Sequence, residues 1–439
     1  MTERRVGLEQ EFFLVDGDGV PSDRADEFLV RCWELTERAG LDPEAVAGEC
    51  ARGMVEINTP PSYSVEELAK AYLERVDLAL QVGQELGIRL YPLATYPLPI
   101  VPSLRKDLNY ELQALTLGRE RFLNAARCIG VHLHLEVPRG TVDSAKIVSR
   151  DATESAREEL LNLYNLGTAL DPALVALTRS CPFYEGLAPG LAVRTAFYRG
   201  SSLFGWEGLY TDLPEVGGLR PYARSIEELV KRQLSSYETW LAAMDRAGVK
   251  KRLFFETGGN VLKASWNPVR INRHGTVELR GIDSNYPETI LAVADLVQTV
   301  ADRVRNEGLT VESHEETRVM EARGDRLLVP EFGYLGGGLS YAAATGGLEV
   351  PEVSAYLDSI FEVAADGGAK PNLLPRLRRP DGSYRVTEAK ILASFPPTSP
   401  LSEDEGLRLV RESCDELEEQ VSYLQRESPY EPEHEAKKV

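Results

Sequence analysis

Apolar and polar positions alternate with a period of two over residues 6–15, and Gly17-Asp18-Gly19 follows, which predicts a strand and a turn. Residues 54–59 form a second such run, stopped by Pro60-Pro61. Ser64-Val65-Glu66-Glu67 is a capping box, and Leu68, Tyr72, Leu73, Val76 and Leu80 then share one helical face up to Gly87. Residues 88–93 read as a short strand and 104–128 as a helix, and Gly130 introduces a strand over 131–137. Helices are predicted near 25–40 and over 153–170. A second capping box, Ser225-Ile226-Glu227-Glu228, opens a helix carrying Val230, Leu234, Leu241 and Met244. A turn at His274-Gly275 precedes a strand over 276–281 and a helix over 287–307. Amphipathic helices over 351–366 and 402–426 precede a polar tail expected to fray. Residues 181–222, rich in Gly, Pro and aromatics without clear periodicity, read as a functional loop.

This order predicts an α+β fold, one sheet covered by helices, with strand direction not encoded in these local signals. We expect a core over residues 1–310 and a mainly helical C-terminal extension over 311–439 packed on it.

With 439 residues, 43% hydrophobic, the chain can bury a sizeable core. Its 69 acidic against 49 basic residues give a charge of −20, a field that repels phosphate backbones and speaks against nucleic acid as a partner. A nucleotide held through cations is not excluded. The N-terminal stretch does not read as a secretory signal and no uncharged apolar run is long enough to span a bilayer, so no membrane partner is expected. Five cysteines without a C-x-x-C pair read as reduced thiols of a cytoplasmic protein. A homo-oligomer stays open.

The chemistry lies on the strands. Glu9 and Glu11 share a face with Phe13 and Val15. At roughly 6–7 Å apart they repel by about 2–3 kcal/mol at an effective dielectric near 20, so water, a proton or a cation must relieve them. Glu56 lies between Val55 and Ile57, with Glu49 seven residues earlier, and either pairs with Arg52, faces water or belongs to a site. His132 and His134 share a strand face, as metal ligands or as structural histidines. Glu278 and Arg280 do the same, as site residues or as a surface ion pair. Taken together, carboxylates and imidazoles on four strands suit Mg²⁺ or Mn²⁺ better than structural zinc. No phosphate loop and no convincing dinucleotide fingerprint is present, so a nucleotide's phosphates would be held by metals and arginines. The candidates are Arg280, Arg270 and Arg194, with a structural role equally open for the last two.

In this order, Gly7-Leu8-Glu9-Gln10-Glu11, Glu49 with Val55-Glu56-Ile57, Gly130-Val131-His132-Leu133-His134 and Thr276-Val277-Glu278-Leu279-Arg280 resemble the second glutamate–cysteine ligase family, the carboxylate–amine ligases of the glutamine-synthetase-like superfamily. The resemblance spans roughly residues 5–305. It implies a curved antiparallel sheet forming a funnel, with helices on its outer face. It also implies metal sites drawn from Glu9, Glu49 and Glu56 on one side and Glu11, His132 and Glu278 on the other, with Arg280 on the phosphoryl group in transit. Thr95-Tyr96-Pro97 and the stretch 181–222 depart from the family pattern and bear on substrate choice. The implied reaction joins a glutamate-like carboxylate to an amine, with ATP as co-substrate and an acyl phosphate between. Glu278→Ala is expected to abolish turnover while leaving the fold largely intact. A guanidino kinase on the same scaffold and a catalytically silent metal- or nucleotide-binding protein are the rival readings.

Overall fold

The computed structural model describes residues 4–366 and 373–427; the tail expected to fray lies outside them. Its main sheet is built from β1 (Val6–Asp16), β2 (Val46–Gly48), β3 (Met54–Asn58), β4 (Ile88–Tyr91) and β5 (Gly130–Glu136). After a small hairpin, β6 (Val142–Asp143) and β7 (Ile147–Val148), it is completed by β8 (Val269–Asn272) and β9 (Thr276–Asp283). The order is β2-β3-β1-β5-β9-β8, with β4 also pairing with β1. Every pairing in it is antiparallel.

The two faces of this sheet have different chemistry because the side-chain period is two. Leu8, Phe12 and Leu14 of β1, Val55 and Ile57 of β3, Val131, Leu133 and Leu135 of β5, and Val277 and Leu279 of β9 all point to one core. That core is closed by the helices Val65–Leu86, Glu154–Thr178 and Pro287–Asn306. Gln10 is the polar exception on this face: its amide donates to Ser284 and to the Asn285 carbonyl, and its oxygen accepts from the Tyr72 hydroxyl. The opposite face carries the acids and imidazoles and is roofed by a second, aromatic cluster including Phe13, Tyr91, Phe122, Tyr210 and Trp240.

Local signals explain most elements. Ser64 accepts from the Glu67 amide and Ser225 from the Glu228 amide, as capping boxes require. The helix Glu154–Thr178 runs eight residues past the predicted stop and through Pro172, since its second half is entombed between sheet and neighbouring helices. By length and composition this helix could cross a membrane, but its most apolar window is 89% buried inside the protein. The single helix predicted over 104–128 breaks instead: Leu108–Leu117 ends at Gly118, which takes a positive φ of 94°, and only short turns follow. Strands β2 and β8 and a three-stranded sheet of β10 (Thr310–His314), β11 (Glu321–Arg323) and β12 (Arg326–Pro330) were not predicted. Within 181–222 the chain makes a π-turn, Arg194–Arg199, and a short helix, Pro214–Gly217.

Candidate active site

Strand register assembles the site. Glu11 lies directly across from Glu56, Glu9 across from His132, His134 across from Glu278, and Arg270 across from Glu278. Seven side chains from five strands thus meet on one face, and the loop residue Glu49 joins them. Glu9, Glu11, Glu49, Glu56 and His132 line a single cavity of about 250 Å³ together with Arg194, Arg270 and Arg280. Glu278, fully buried, sits behind the two last arginines.

Ligand atoms form three overlapping groups, each within 4.8 Å: Glu11–Glu49–Glu56, Glu9–Glu56–His132, and Glu9–His134–Glu278. The resemblance placed Glu9 with Glu49 and Glu56 and set Glu11 apart. The β1–β3 register sets Glu11 directly opposite Glu56, while Glu9 still shares a ligand group with Glu56 and His132, so Glu56 lies within reach of both acids. Arg52, the alternative partner for Glu56, instead lies 3.9 Å from Asp26.

Crowding shows in the proton affinities. Burial, reinforced by the Glu11 carboxylate, pushes Glu49 up to about 8. Burial, with Glu9, Glu49 and Glu11 adding repulsion, raises Glu56 well above the usual carboxylate range. Burial also opposes the charges of Glu9 and Glu278, yet both are held below that range. Glu9 is held by His134 and His132, and Glu278 by Arg270 and Arg280. His132 is lowered by burial and by Arg280, whereas in His134 the Glu9 and Glu278 charges overcome burial and raise it.

The donor set fits hard dications. One group is wholly carboxylate and the others add one imidazole each, a composition suited to Mg²⁺ or Mn²⁺. The Nε2 atoms of His132 and His134 are buried without a hydrogen-bond partner. His132 Nδ1 lies 2.8 Å from Glu9 Oε2, and His134 Nδ1 lies 3.0 Å from the Thr276 hydroxyl, so both rings are fixed from their other side.

The arginines divide by what they touch. Arg280 Nη1 donates to Glu278 and lies 3.3 Å from His132 Nδ1, while its Nε is a buried donor without a partner. Arg270 clamps Glu278 with Nε at 2.7 Å and Nη2 at 3.1 Å. Arg194, proposed from sequence as a substrate contact, spends Nη1 on the carbonyls of Arg280 and Ile282 at 2.8 and 3.1 Å. Its guanidinium occupies the space a Cβ on Gly130 would need, 2.1 Å from Nη2, which explains that glycine.

Several contributors escaped sequence reading. Asn272 donates to Glu278, the Tyr110 hydroxyl donates to Glu49 at 3.2 Å, and Arg199 ties the carbonyls of Trp266 and Arg280. The alternation Val-Arg-Ile-Asn at 269–272 could have exposed Asn272, whereas nothing local marks Tyr110. The segments departing from the family pattern lock together: the Ala94 amide donates to Ser180 and the Thr95 hydroxyl to the Phe183 carbonyl.

Comparison with known proteins identifies the family of the chain. The model of a family described as glutamate–cysteine ligase family 2 matches residues 5–332. A Streptomyces avermitilis protein named "Putative glutamate--cysteine ligase 2-1" is 27% identical over 42% of this chain and 44% of its own length. A Halobacterium salinarum protein named glutamate–cysteine ligase is 25% identical over 64% of this chain and 64% of its own length. The chain thus spans about half to two thirds of these relatives. The solved structure of a Francisella tularensis glutamate–cysteine ligase in complex with AMP superposes with a TM-score of 0.50 at 11% identity, covering 98% of this chain and 96% of that one, a likeness of fold.

Proposed function

The chain belongs to the glutamate–cysteine ligase family 2, and from that premise we propose that it is an ATP-dependent carboxylate–amine ligase, joining a glutamate-like carboxylate to an amine through an acyl phosphate. The observation that carries this reading is the convergence of Glu9, Glu11, Glu49, Glu56, His132 and Glu278 with Arg280 around one cavity.

A carboxylate resists attack by an amine because its oxygen is a poor leaving group. Transfer of the γ-phosphoryl group to that oxygen gives ADP and an acyl phosphate; the amine then displaces phosphate to give the amide. Glu11, Glu49 and Glu56 would hold one dication, and Glu9 with His132 or His134 and Glu278 another. Bound there, the dications would neutralise phosphate oxygens and align donor with acceptor. Arg280, locked by Glu278 and with Nε free, presents positive charge where the transferred group gains charge. A second cavity of about 340 Å³, walled by Ala45, Pro60, Pro61 and His134, shares Glu9 with the inner one and suits a nucleoside. The inner cavity, roofed by Tyr110, Tyr198, Tyr210 and Trp266, would take the acid and the amine. The sheet would then act as a funnel whose two ends meet at Glu9.

The test is phosphate release by the purified protein with Mg²⁺, ATP and a matrix of acids and amines. Phosphate appearing only when acid and amine are both present supports the proposal. Phosphorylated guanidinium without free phosphate would make it a guanidino kinase, and no turnover with any pair would make it a binding protein.

A further inference from the structure

Glu278 carries four donors at once. Arg270 grips it as a fork through Nε and Nη2, Arg280 adds Nη1, and Asn272 adds its amide. A carboxylate offers about four lone-pair sites, so its capacity is used. The same carboxylate also belongs to the ligand group with Glu9 and His134. His134, 8% exposed, turns a buried Nε2 into that corner, where it makes no hydrogen bond but lies within ion-pair reach of Glu9 Oε1 at 3.2 Å. A dication that used Glu278 would have to displace one of the donors already there.

Arg270 is the more accessible of the two guanidinium donors, held besides Glu278 only by the Ser265 carbonyl, 3.0 Å from Nη1, among the described residues. It stands on β8, the edge strand of the sheet, and its side chain is 19% exposed against 11% for Arg280. It borders both the inner cavity and an outer one of about 360 Å³, whereas Arg280 borders only the inner one. Arg280 is further confined beside His132. We propose that Arg270 and a divalent cation compete for Glu278: the ion enters the Glu9–His134–Glu278 corner by displacing the Arg270 fork, which frees that guanidinium to swing toward the cavity where phosphate is bound. This rests on the reading of the site as a dication centre and makes Arg270 a positioning residue that exchanges with the metal.

Titration with Mn²⁺ alone, followed by calorimetry and by the electron spin resonance of the free ion, tests it without any turnover. In Arg270→Met one class of Mn²⁺ site should tighten by about tenfold or more, the loss of a charge-assisted fork, while the other class stays unchanged. Arg270→Lys, which keeps the charge but not the fork, should shift the same class by less and stands in if Arg270→Met does not fold. Spin-echo modulation from an imidazole nitrogen should disappear from the tightened class in Arg270→Met/His134→Gln. Unchanged or weakened Mn²⁺ affinity in both Arg270 variants overturns the exchange while leaving the dication centre standing. Absence of Mn²⁺ binding in the native protein overturns the dication reading itself.

Discussion

Replacing Glu278 by alanine tests how the site is held together, because the carboxylate is 0% exposed and shared by two guanidinia. Alanine leaves Arg270 and Arg280 facing each other with side chains 19% and 11% exposed, and Asn272 without its acceptor. Breaking a buried pair from one side costs about 3–5 kcal/mol, chiefly because the remaining charge is stranded. With an unfolding entropy of about 2.1 cal/mol/K per residue, a chain of 439 residues loses roughly 1 °C of melting temperature per kcal/mol, so a drop of about 3–5 °C is expected. Thus Glu278→Ala should silence the protein and measurably destabilise it while leaving it folded, a cost that sequence could not show because the acid is sealed between cations. Differential scanning calorimetry in EDTA reads the drop, and Arg270→Met in the same background should recover part of it, with a coupling of about 1 kcal/mol or more. A melting temperature equal to the native value, or strictly additive losses, would refute the clamp.

Glu56→Gln should do the reverse without metal: it removes an acid whose ionised form is penalised by burial and by Glu9, Glu49 and Glu11, and raises the melting temperature in EDTA by about 1–3 °C, while abolishing the stabilisation by Mg²⁺ and the turnover. A melting temperature that falls, or a surviving Mg²⁺ shift, would contradict this. Gly130→Ala should cost about 1–3 kcal/mol by pushing Arg194 off the sheet, read as a lower urea midpoint, and an unchanged midpoint would show that the arginine moves aside freely. Asp295, which accepts from the Leu373 amide at 2.8 Å, is raised to about 6 by burial. The folded state therefore holds its proton more tightly than the unfolded chain, so its contribution is full below pH 4 and is lost as pH rises to about 6. Asp295→Asn should gain on the native protein between pH 4.5 and 7.5 by roughly 1–2 kcal/mol in urea melts, and a pH-independent difference would refute the assignment.

Strands were legible wherever one residue type alternated with another. In β1, β3, β5 and β9 the apolar positions feed the helical core and the interleaved acids and imidazoles face the site, so pattern and chemistry coincide. What alternation does not carry is register. Glu9 and Glu11 are interchangeable in the sequence pattern, and only the pairing of β1 with β3 decides which of them stands directly opposite Glu56. Arg270 and Asn272 were hard to place for the same reason, since β8 is four residues long and becomes a strand by lying against β9. Gly118 ended a helix that periodicity would have carried through, and Pro172 failed to end one because burial of the helix outweighed the lost hydrogen bond. The segment 181–222 has no repeating pattern because its residues are placed by single contacts, such as the arginine-to-carbonyl bonds from Arg194 and Arg199.

Phosphoryl transfer to the carboxylate before the amide forms is the step that defines the proposed reaction. Turnover with an acid substrate carrying ¹⁸O in its reacting carboxylate, followed by mass spectrometry of the released phosphate, measures that step directly. One labelled oxygen in each phosphate is the predicted result; phosphate free of label, with amide still produced, would contradict it.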